Sequence, residues 1–366
     1  MNWKSVDCKM SLLKNNLYRF DIEMVANNNV PWEKLNNQSV LISGATGMVG
    51  SFLVDVLMYR NSAFDMNCHI YALGRNTCKA RERFASYWKN PLFEFIAHDI
   101  SEQFSSDSMP AFNWFLHLAS NTHPLQYAND PIGTITTNVI GLKNILDLAA
   151  VSPCKRVLFA SSNEIYGENR GDTELFSENY CGYIDCNTLR AGYPESKRCG
   201  EALCQAYMRQ KNLDIVVARL TRSYGPSMLM TDSKASSQFL KKGIAGEDIV
   251  LKSAGLQYYS YTYVADAVSG LLYTLLAGKT GEAYNIADES GDIHLKDMAE
   301  IIAGNCGTKV VYEIPDSTEA SGYSTATKAR LNGAKLKSLG WHPLYTIQEG
   351  VKRTIDILKS QGDQVE

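Results

Sequence analysis

The segment Ser43-Gly44-Ala45-Thr46-Gly47-Met48-Val49-Gly50 constrains this chain more than any other. It follows directly on the apolar run Val40-Leu41-Ile42 and precedes the helical apolar pattern Phe52, Leu53, Val56, Leu57. Glycines spaced G-x-x-G-x-x-G between a strand and a helix allow a tight turn, close approach of the backbone to a pyrophosphate, and close helix–strand packing. The helix N-terminus adds unpaired N–H groups and the positive end of a dipole. A glycine triplet alone also describes an ordinary turn, and the spacing is not the commoner G-x-G-x-x-G. Its position between strand and helix makes a dinucleotide cradle the expectation, lined by Gly44, Thr46, Gly47, Met48, Val49 and Gly50.

Short apolar runs then alternate with longer stretches of helical period, as a parallel sheet with crossover helices requires. The runs are 40–42, 69–73, 93–96, 112–117, 156–160 and 214–219, which make six strands of a doubly wound α/β sheet of the Rossmann type. The division expected is an N-terminal arm over 1–38, polar and Asn-rich with room for one short helix, and a dinucleotide-binding domain over 39–222 to which 263–286 returns. Segments 223–262 and 287–366 form a smaller α/β substrate lobe beside the C-terminal edge of the sheet, where ligands of such folds bind.

A chain of 366 residues fits one large α/β domain with a lobe. Its net charge of −3 and the absence of any Lys/Arg-rich run argue against nucleic-acid or anionic-membrane binding and favour a small-molecule partner. The nine cysteines show no C-x-x-C pair and read as reduced, mostly buried thiols, with core packing expected for Cys199 and Cys204. There is no signal-peptide h-region and no long apolar span, so a cytoplasmic location is expected.

The second strand ends in Leu73-Gly74-Arg75-Asn76, without the acidic residue that usually binds the ribose hydroxyls of NAD. Arg75 suits stacking on adenine or pairing with a 2′-phosphate, which keeps NADP open beside NAD. Asp99, followed by Ile100, stands after the third strand where a carboxylate can accept from the adenine amino group. Leu118-Ala119-Ser120 follows the fourth, where small residues let a cofactor lie against backbone.

Tyr193 and Lys197, four residues apart in Tyr193-Pro194-Glu195-Ser196-Lys197, share one face of a helix. An ammonium beside the phenol lowers its pKa and holds a ribose, making the phenolate a base for a hydroxyl. The same spacing is common on amphipathic helices. What lifts it is Ala160-Ser161-Ser162-Asn163-Glu164 after the fifth strand, where Ser162 is placed to bond the same substrate oxygen as Tyr193.

With these motifs in this order, residues 38 to about 355 resemble the extended short-chain dehydrogenases/reductases of the nucleotide-sugar epimerase/dehydratase family. Ala218-Arg219-Leu220-Thr221-Arg222-Ser223-Tyr224-Gly225-Pro226, Tyr263-Val264-Ala265-Asp266 and Gly281-Glu282-Ala283-Tyr284-Asn285-Ile286 carry the likeness further. It implies an enzyme on a nucleoside-diphosphate sugar, with NAD(P)+ oxidising carbon 4 and Ser162, Tyr193 and Lys197 serving that step. Ser162-Asn163-Glu164 resembles the Thr-Ser-Glu of UDP-glucuronate decarboxylases and GDP-mannose dehydratases. Glu164 is therefore the candidate second acid/base, while Asn163, unlike an aspartate, cannot serve as a general acid. The stretches 181–193 and 225–239 lean towards the decarboxylase-like branch. By this resemblance the oxidised sugar is expected to be decarboxylated or dehydrated, as in a UDP-glucuronate decarboxylase or a 4,6-dehydratase; a 4-epimerase is the alternative, and a non-catalytic NAD(P)-binding sensor the remote one. The family also implies a homodimer through residues 198–210.

One departure bears on the substrate. Gln257-Tyr258-Tyr259-Ser260-Tyr261 stands where the family has Gln-x-Arg-x-Phe/Tyr, so Tyr259 replaces an arginine that by resemblance meets the nucleotide phosphate or a sugar carboxylate. Arg222, where asparagine is usual, is a candidate to restore that charge from the other side of the pocket; otherwise the sugar is not a uronate. His117 and His123 read as packing or loop residues, and no metal is expected. The tyrosines at 258, 259, 261 and 263 alternate as an edge strand would. Asn138, polar within an apolar helical stretch, is expected to satisfy a backbone group near the site.

Overall fold

The computed structural model describes residues 11–105, 109–122, 129–313 and 327–362. The rest of the expected arm (1–10), part of the lobe (314–326), its last residues (363–366) and His123 lie outside the described residues. Seven parallel strands form the main sheet: β1 (Ser39–Ser43), β2 (His69–Gly74), β3 (Phe93–Ala97), β4 (Trp114–His117), β5 (Arg156–Ser162), β6 (Ile215–Leu220) and β10 (Ala283–Ile286). Their order is β10-β6-β5-β4-β1-β2-β3, so the chain winds outward from β1 in one direction and then from β4 in the other. The doubly wound Rossmann sheet read from the sequence is thus present with one more strand. Its topological switch point lies between β1 and β4, where ligands of this architecture bind.

Alternation at a period of two divides the strand side chains between two cores. Ile42, Ala72 and Val216 face one, covered by helices Met48–Phe64 and Val264–Ala277. Leu41, Tyr71 and Val217 face the other, covered by helices Pro131–Val151 and Gly192–Lys211. Two strand ends differ from expectation by two residues, the others by at most one. Phe112 is fully buried and so mimics a strand residue, but the ladder begins at Trp114, because the Asn113 side chain accepts from Ser39 N at 3.1 Å. β5 runs two residues beyond Ala160, and Ser162 is thereby held in register opposite Leu220 of β6.

Beyond β6 lie two small sheets. One combines β7 (Arg222–Tyr224), β9 (Tyr258–Tyr263), β11 (Asp292–His294) and β13 (Lys328–Ala329); the other pairs β8 (Ile249–Leu251) with β12 (Val310–Tyr312). The tyrosine-rich β9 is not an edge strand as expected: β11 runs along one side of it, β13 and β7 along the other. Its aromatic run matches interior packing, which period alone does not separate from an edge. The thiols also depart from expectation. Cys68 and Cys204 are buried, but Cys78, Cys181, Cys186 and Cys199 are exposed, the last because its side of the Gly192–Lys211 helix faces away from the sheet. Among the described residues no helix is long and apolar enough to cross a membrane.

The arm contributes the helix Asn16–Ala26, which buries Tyr18, Ile22 and Val25, with Tyr18 packed edge-on against Phe52 at 5.4 Å. Tyr18 donates to Asp55 at 2.6 Å, and Arg83 pairs with the same carboxylate. Asp21 of the arm accepts from Tyr263 of β9 and from Arg353 of helix Ile347–Gly362, both at 2.7 Å. The arm therefore pins the glycine-loop helix, β9 and the C-terminal helix together. Removing the partner of a buried carboxylate is costly, because the charge is left in a low-dielectric surrounding. Asp55 is 0% exposed, so Arg83→Met should lower unfolding stability by about 3–5 kcal/mol in urea titrations. Adding Asp55→Asn to Arg83→Met should recover part of that loss; no recovery would show that the damage is to packing alone.

Candidate active site

The cradle is built by contacts that exclude side chains. Gly44 adopts a left-handed φ of +70°, and a Cβ there would stand 2.7 Å from the backbone nitrogen of Ala119. A Cβ on Gly50 would stand 2.4 Å from the carbonyl oxygen of Gly44, an oxygen that also accepts from Gly47 N at 3.0 Å. Gly47 caps the helix Met48–Phe64, so the N–H groups of Met48 and Val49 belong to the turn without intrahelical partners. Thr46 lies beside them, half-buried. The turn rests on the end of β4: Leu118 N donates to Ser43 O at 3.2 Å, and Ser43 Oγ bonds His117 Nδ1 at 2.8 Å. His117 is buried, and burial, reinforced by the charge of Lys197, pushes its pKa down to about 3. A bare backbone turn at a helix N-terminus fits a dinucleotide pyrophosphate, since the space a Cβ would fill is kept open.

Arg75 and Asp99, read separately from the sequence, form one ion pair at 3.5 Å beyond β2 and β3. Burial alone would raise Asp99, but the Ser101 N–H and Arg75 outweigh it and hold the carboxyl below its ordinary range. Ile100 is buried and packs on Gly141, where a Cβ would come within 2.7 Å of it, so its side chain belongs to the core and only its backbone flanks the site.

The catalytic candidates meet where β4, β5 and helix Gly192–Lys211 converge. Tyr193 is 6% exposed, and its phenol is hydrogen-bonded with the hydroxyls of Ser162 and Ser120. Ser162 Oγ also accepts from Glu164 N at 3.2 Å, capping the short helix Asn163–Tyr166, in which Asn163 is buried. Asn138 bonds two side chains rather than the backbone group expected of it: it accepts from Ser120 Oγ at 2.7 Å and donates to Ser196 Oγ at 2.8 Å. Ser196 in turn donates to the carbonyl of Tyr193 at 2.8 Å. The fully buried amide thus fixes the phenol-bonding Ser120 and the Tyr193 backbone at once.

Lys197 stands differently from the expectation. Its Nζ donates to Ala160 O at 2.8 Å and lies 4.9 Å above the Phe159 ring, so the ammonium is bound to β5 and not to the phenol. The four-residue spacing does put both groups on the buried face, but a long flexible stem reaches the nearest carbonyl. Burial drives the Tyr193 phenol well above its ordinary value and the charge of Glu164 adds to this, while Ser162, Arg190 and Ser120 act the other way. Burial lowers Lys197 to about 7 against the opposing influence of Glu201 and Cys204.

Glu164 does not stand alone. Arg190 places one Nη2 against both of its oxygens, at 2.8 and 2.7 Å. The sequence reading missed Arg190. Its signal was a basic residue one helical turn before Tyr193, in the short helix Leu189–Ala191 that runs into helix Gly192–Lys211. Arg222 and Tyr259 also come together, on neighbouring strands and not on opposite sides of a pocket: the guanidinium carbon lies 3.5 Å from the centre of the Tyr259 ring. The parallel β7–β9 ladder, which the sequence did not reveal, sets them side by side.

Residues 40–287 match the model of the NAD dependent epimerase/dehydratase family. The chain is 32% identical over 329 residues to UDP-glucuronic acid decarboxylase 1 of Xenopus tropicalis, covering 89% of this chain and 73% of that protein. It is 31% identical over 323 residues to UDP-glucuronic acid decarboxylase 6 of Arabidopsis thaliana, covering 86% of this chain and 87% of the relative. Among solved structures it superimposes on dTDP-glucose 4,6-dehydratase DesIV of Streptomyces venezuelae, with NAD and TYD bound, at a TM-score of 0.75 and 22% identity, covering 88% of this chain and 97% of that one. The UDP-glucuronic acid 4-epimerase of Bacillus cereus, in complex with UDP-glucuronic acid and NAD, gives 0.74 and 21%, covering 88% and 99%. At these identities the structures establish a shared fold.

The buried ammonium has a consequence for stability. With Lys197 lowered from 10.5 to about 7, the folded chain binds fewer protons than the unfolded chain between those values, so stability rises with pH across that window. Lys197→Met should abolish this dependence. Relative to the variant, the parent should gain stability between about pH 6 and about pH 10 in urea titrations of the cofactor-free protein. Parallel curves would show that the ammonium is not held out of water.

Proposed function

Because this chain belongs to the NAD dependent epimerase/dehydratase family, we propose that it oxidises a nucleoside-diphosphate sugar at carbon 4 and then decarboxylates it, as a UDP-glucuronate decarboxylase does. The observation that carries this reading is the meeting of Ser162, Glu164 and Tyr193 at the end of β5, beside the glycine cradle, in a chain similar to decarboxylases along most of its length. NAD, held by the cradle and by Leu118-Ala119-Ser120, supplies a reversible hydride acceptor for carbon 4. Arg75 already has a carboxylate partner in Asp99, which weakens its pull on a 2′-phosphate and favours NAD over NADP.

The chain's own residues divide the remaining work. Tyr193 takes the proton from the carbon 4 hydroxyl and later returns it, and Ser162 holds that oxygen. A ketone at carbon 4 lies β to the carboxylate on carbon 5, so carbon dioxide leaves with its bonding electrons delocalised onto the ketone. Glu164 then serves the proton that carbon 5 needs. Asn163 has no proton to give at neutral pH, which favours decarboxylation over loss of water. Arg190 aligns Glu164 and offsets its charge at the phenol.

This reading assigns the enzyme to the cytoplasm, where exposed thiols stay reduced. It also makes the enzyme a homodimer. Helices Pro131–Val151 and Gly192–Lys211 lie side by side, and the first exposes Ile132 at 76%, Ile135 at 42% and Ile140 at 43%. A second copy covers these side chains. Sedimentation should give twice 40.7 kDa for the parent and a monomer for Ile132→Glu with Ile135→Glu.

Incubation with UDP-, GDP-, CDP- and dTDP-sugars and NAD, read by mass spectrometry, should show loss of carbon dioxide from UDP-glucuronate. Loss of water, or an unchanged mass with inverted carbon 4, would replace decarboxylation by dehydration or epimerisation. Stoichiometric NAD binding without any turnover would make the protein a sensor. Glu164→Gln should keep the oxidation step while overall turnover falls about 10²- to 10⁴-fold.

A further inference from the structure

Arg222 opens β7 two residues after Leu220, the residue of β6 that pairs with Ser162. Five residues further on, Ser227 donates to the carbonyl of Met48 at 3.0 Å, in the first turn of the glycine-loop helix. The segment from 220 to 227 therefore runs from the catalytic serine to the cradle, and Arg222 stands on that path.

Its surroundings are unusual for a cation. The guanidinium carbon lies over the ring of Tyr259, 3.5 Å from its centre, and both Tyr259 and Tyr261 are buried, at 6% and 4% exposure. An aromatic face attracts the cation but accepts none of its N–H groups, which point outward in the guanidinium plane. Nη1 is shielded from solvent and has no hydrogen-bond partner among the described residues. A shielded, charged donor without an acceptor is costly, and the charge of a ligand anion drawn to the guanidinium offsets that cost. The ring braces the guanidinium, whose planar fork suits bidentate recognition of paired oxygens.

We propose that Arg222, braced by Tyr259, is the anion-binding residue of the substrate pocket and grips paired anionic oxygens of the nucleotide sugar, on phosphate or on a sugar carboxylate. The proposal rests on the nucleotide-sugar reading above and adds the side chain that selects the substrate. Tyr259 is a positioning residue in this arrangement.

Calorimetry on the NAD-loaded protein tests it, with UDP, UDP-glucose and UDP-glucuronate as probes and Tyr193→Phe as the background that prevents turnover. Arg222→Gln should weaken UDP-glucuronate binding about 10- to 100-fold and leave the NAD affinity unchanged. Equal weakening of all three probes assigns Arg222 to the diphosphate; weakening confined to UDP-glucuronate assigns it to the carboxylate. Arg222→Lys should recover part of the affinity, and Tyr259→Leu should cost a smaller, about 3- to 10-fold, loss. Unchanged binding of all three, or a matching loss of NAD affinity, overturns the proposal, while carbon dioxide release by the parent would still uphold the proposed function. A parent that binds none of the probes overturns both.

Discussion

Everything at this site depends on one backbone-to-backbone approach: the turn after β1 lies so close to the end of β4 that no side chain fits between Gly44 and Ala119. That contact places the helix N-terminus over the switch point of the sheet, where the strand order reverses and a crevice opens. It also places Ser120 beside Tyr193. From Ser120 the order passes through Asn138 and Ser196 to the backbone of Tyr193, so the end of β4 and Tyr193 are parts of one hydrogen-bonded unit. Each member of that unit satisfies another inside the protein, where an unmet polar group is expensive.

Electrostatics at the tyrosine are set by competition. Burial disfavours the phenolate, and Glu164 opposes it further, while Ser162, Arg190 and Ser120 favour it. Lys197 stands back at the Ala160 carbonyl, with its own charge disfavoured by burial. Burial thus favours the neutral phenol of Tyr193 and disfavours the charge of Lys197. Arg219 supports this arrangement from behind: it pairs with Glu201 and donates to Tyr166 at 2.9 Å, tying helix Gly192–Lys211 to β6.

The small sheet around β9 is held by contacts of the same kind. Its upper half pairs with β7 and brings Arg222 against Tyr259, while Tyr263 at its end is held by Asp21 of the arm. The arm thereby braces both the glycine-loop helix, through Tyr18 and Asp55, and β9, through Asp21 and Tyr263. Its helix lies in the main core.

The sequence by itself determined the sheet and the glycine turn, and it named the side chains proposed for catalysis. These follow from local rules: strand period, the steric freedom of glycine, the four-residue repeat of a helix and the order of motifs along the chain. It did not reveal that Arg190 holds Glu164, that Lys197 turns to Ala160 instead of Tyr193, or that β9 is interior. Nor did it place Arg222 on Tyr259 or show what the arm braces. Those facts depend on which distant segments become neighbours and on where a long side chain finds its nearest acceptor. Burial then alters the cost of each charge by an amount that residue type alone does not contain. Only the tertiary structure decides such partners, because the energy of a buried charge belongs to its surroundings and not to its position in the chain.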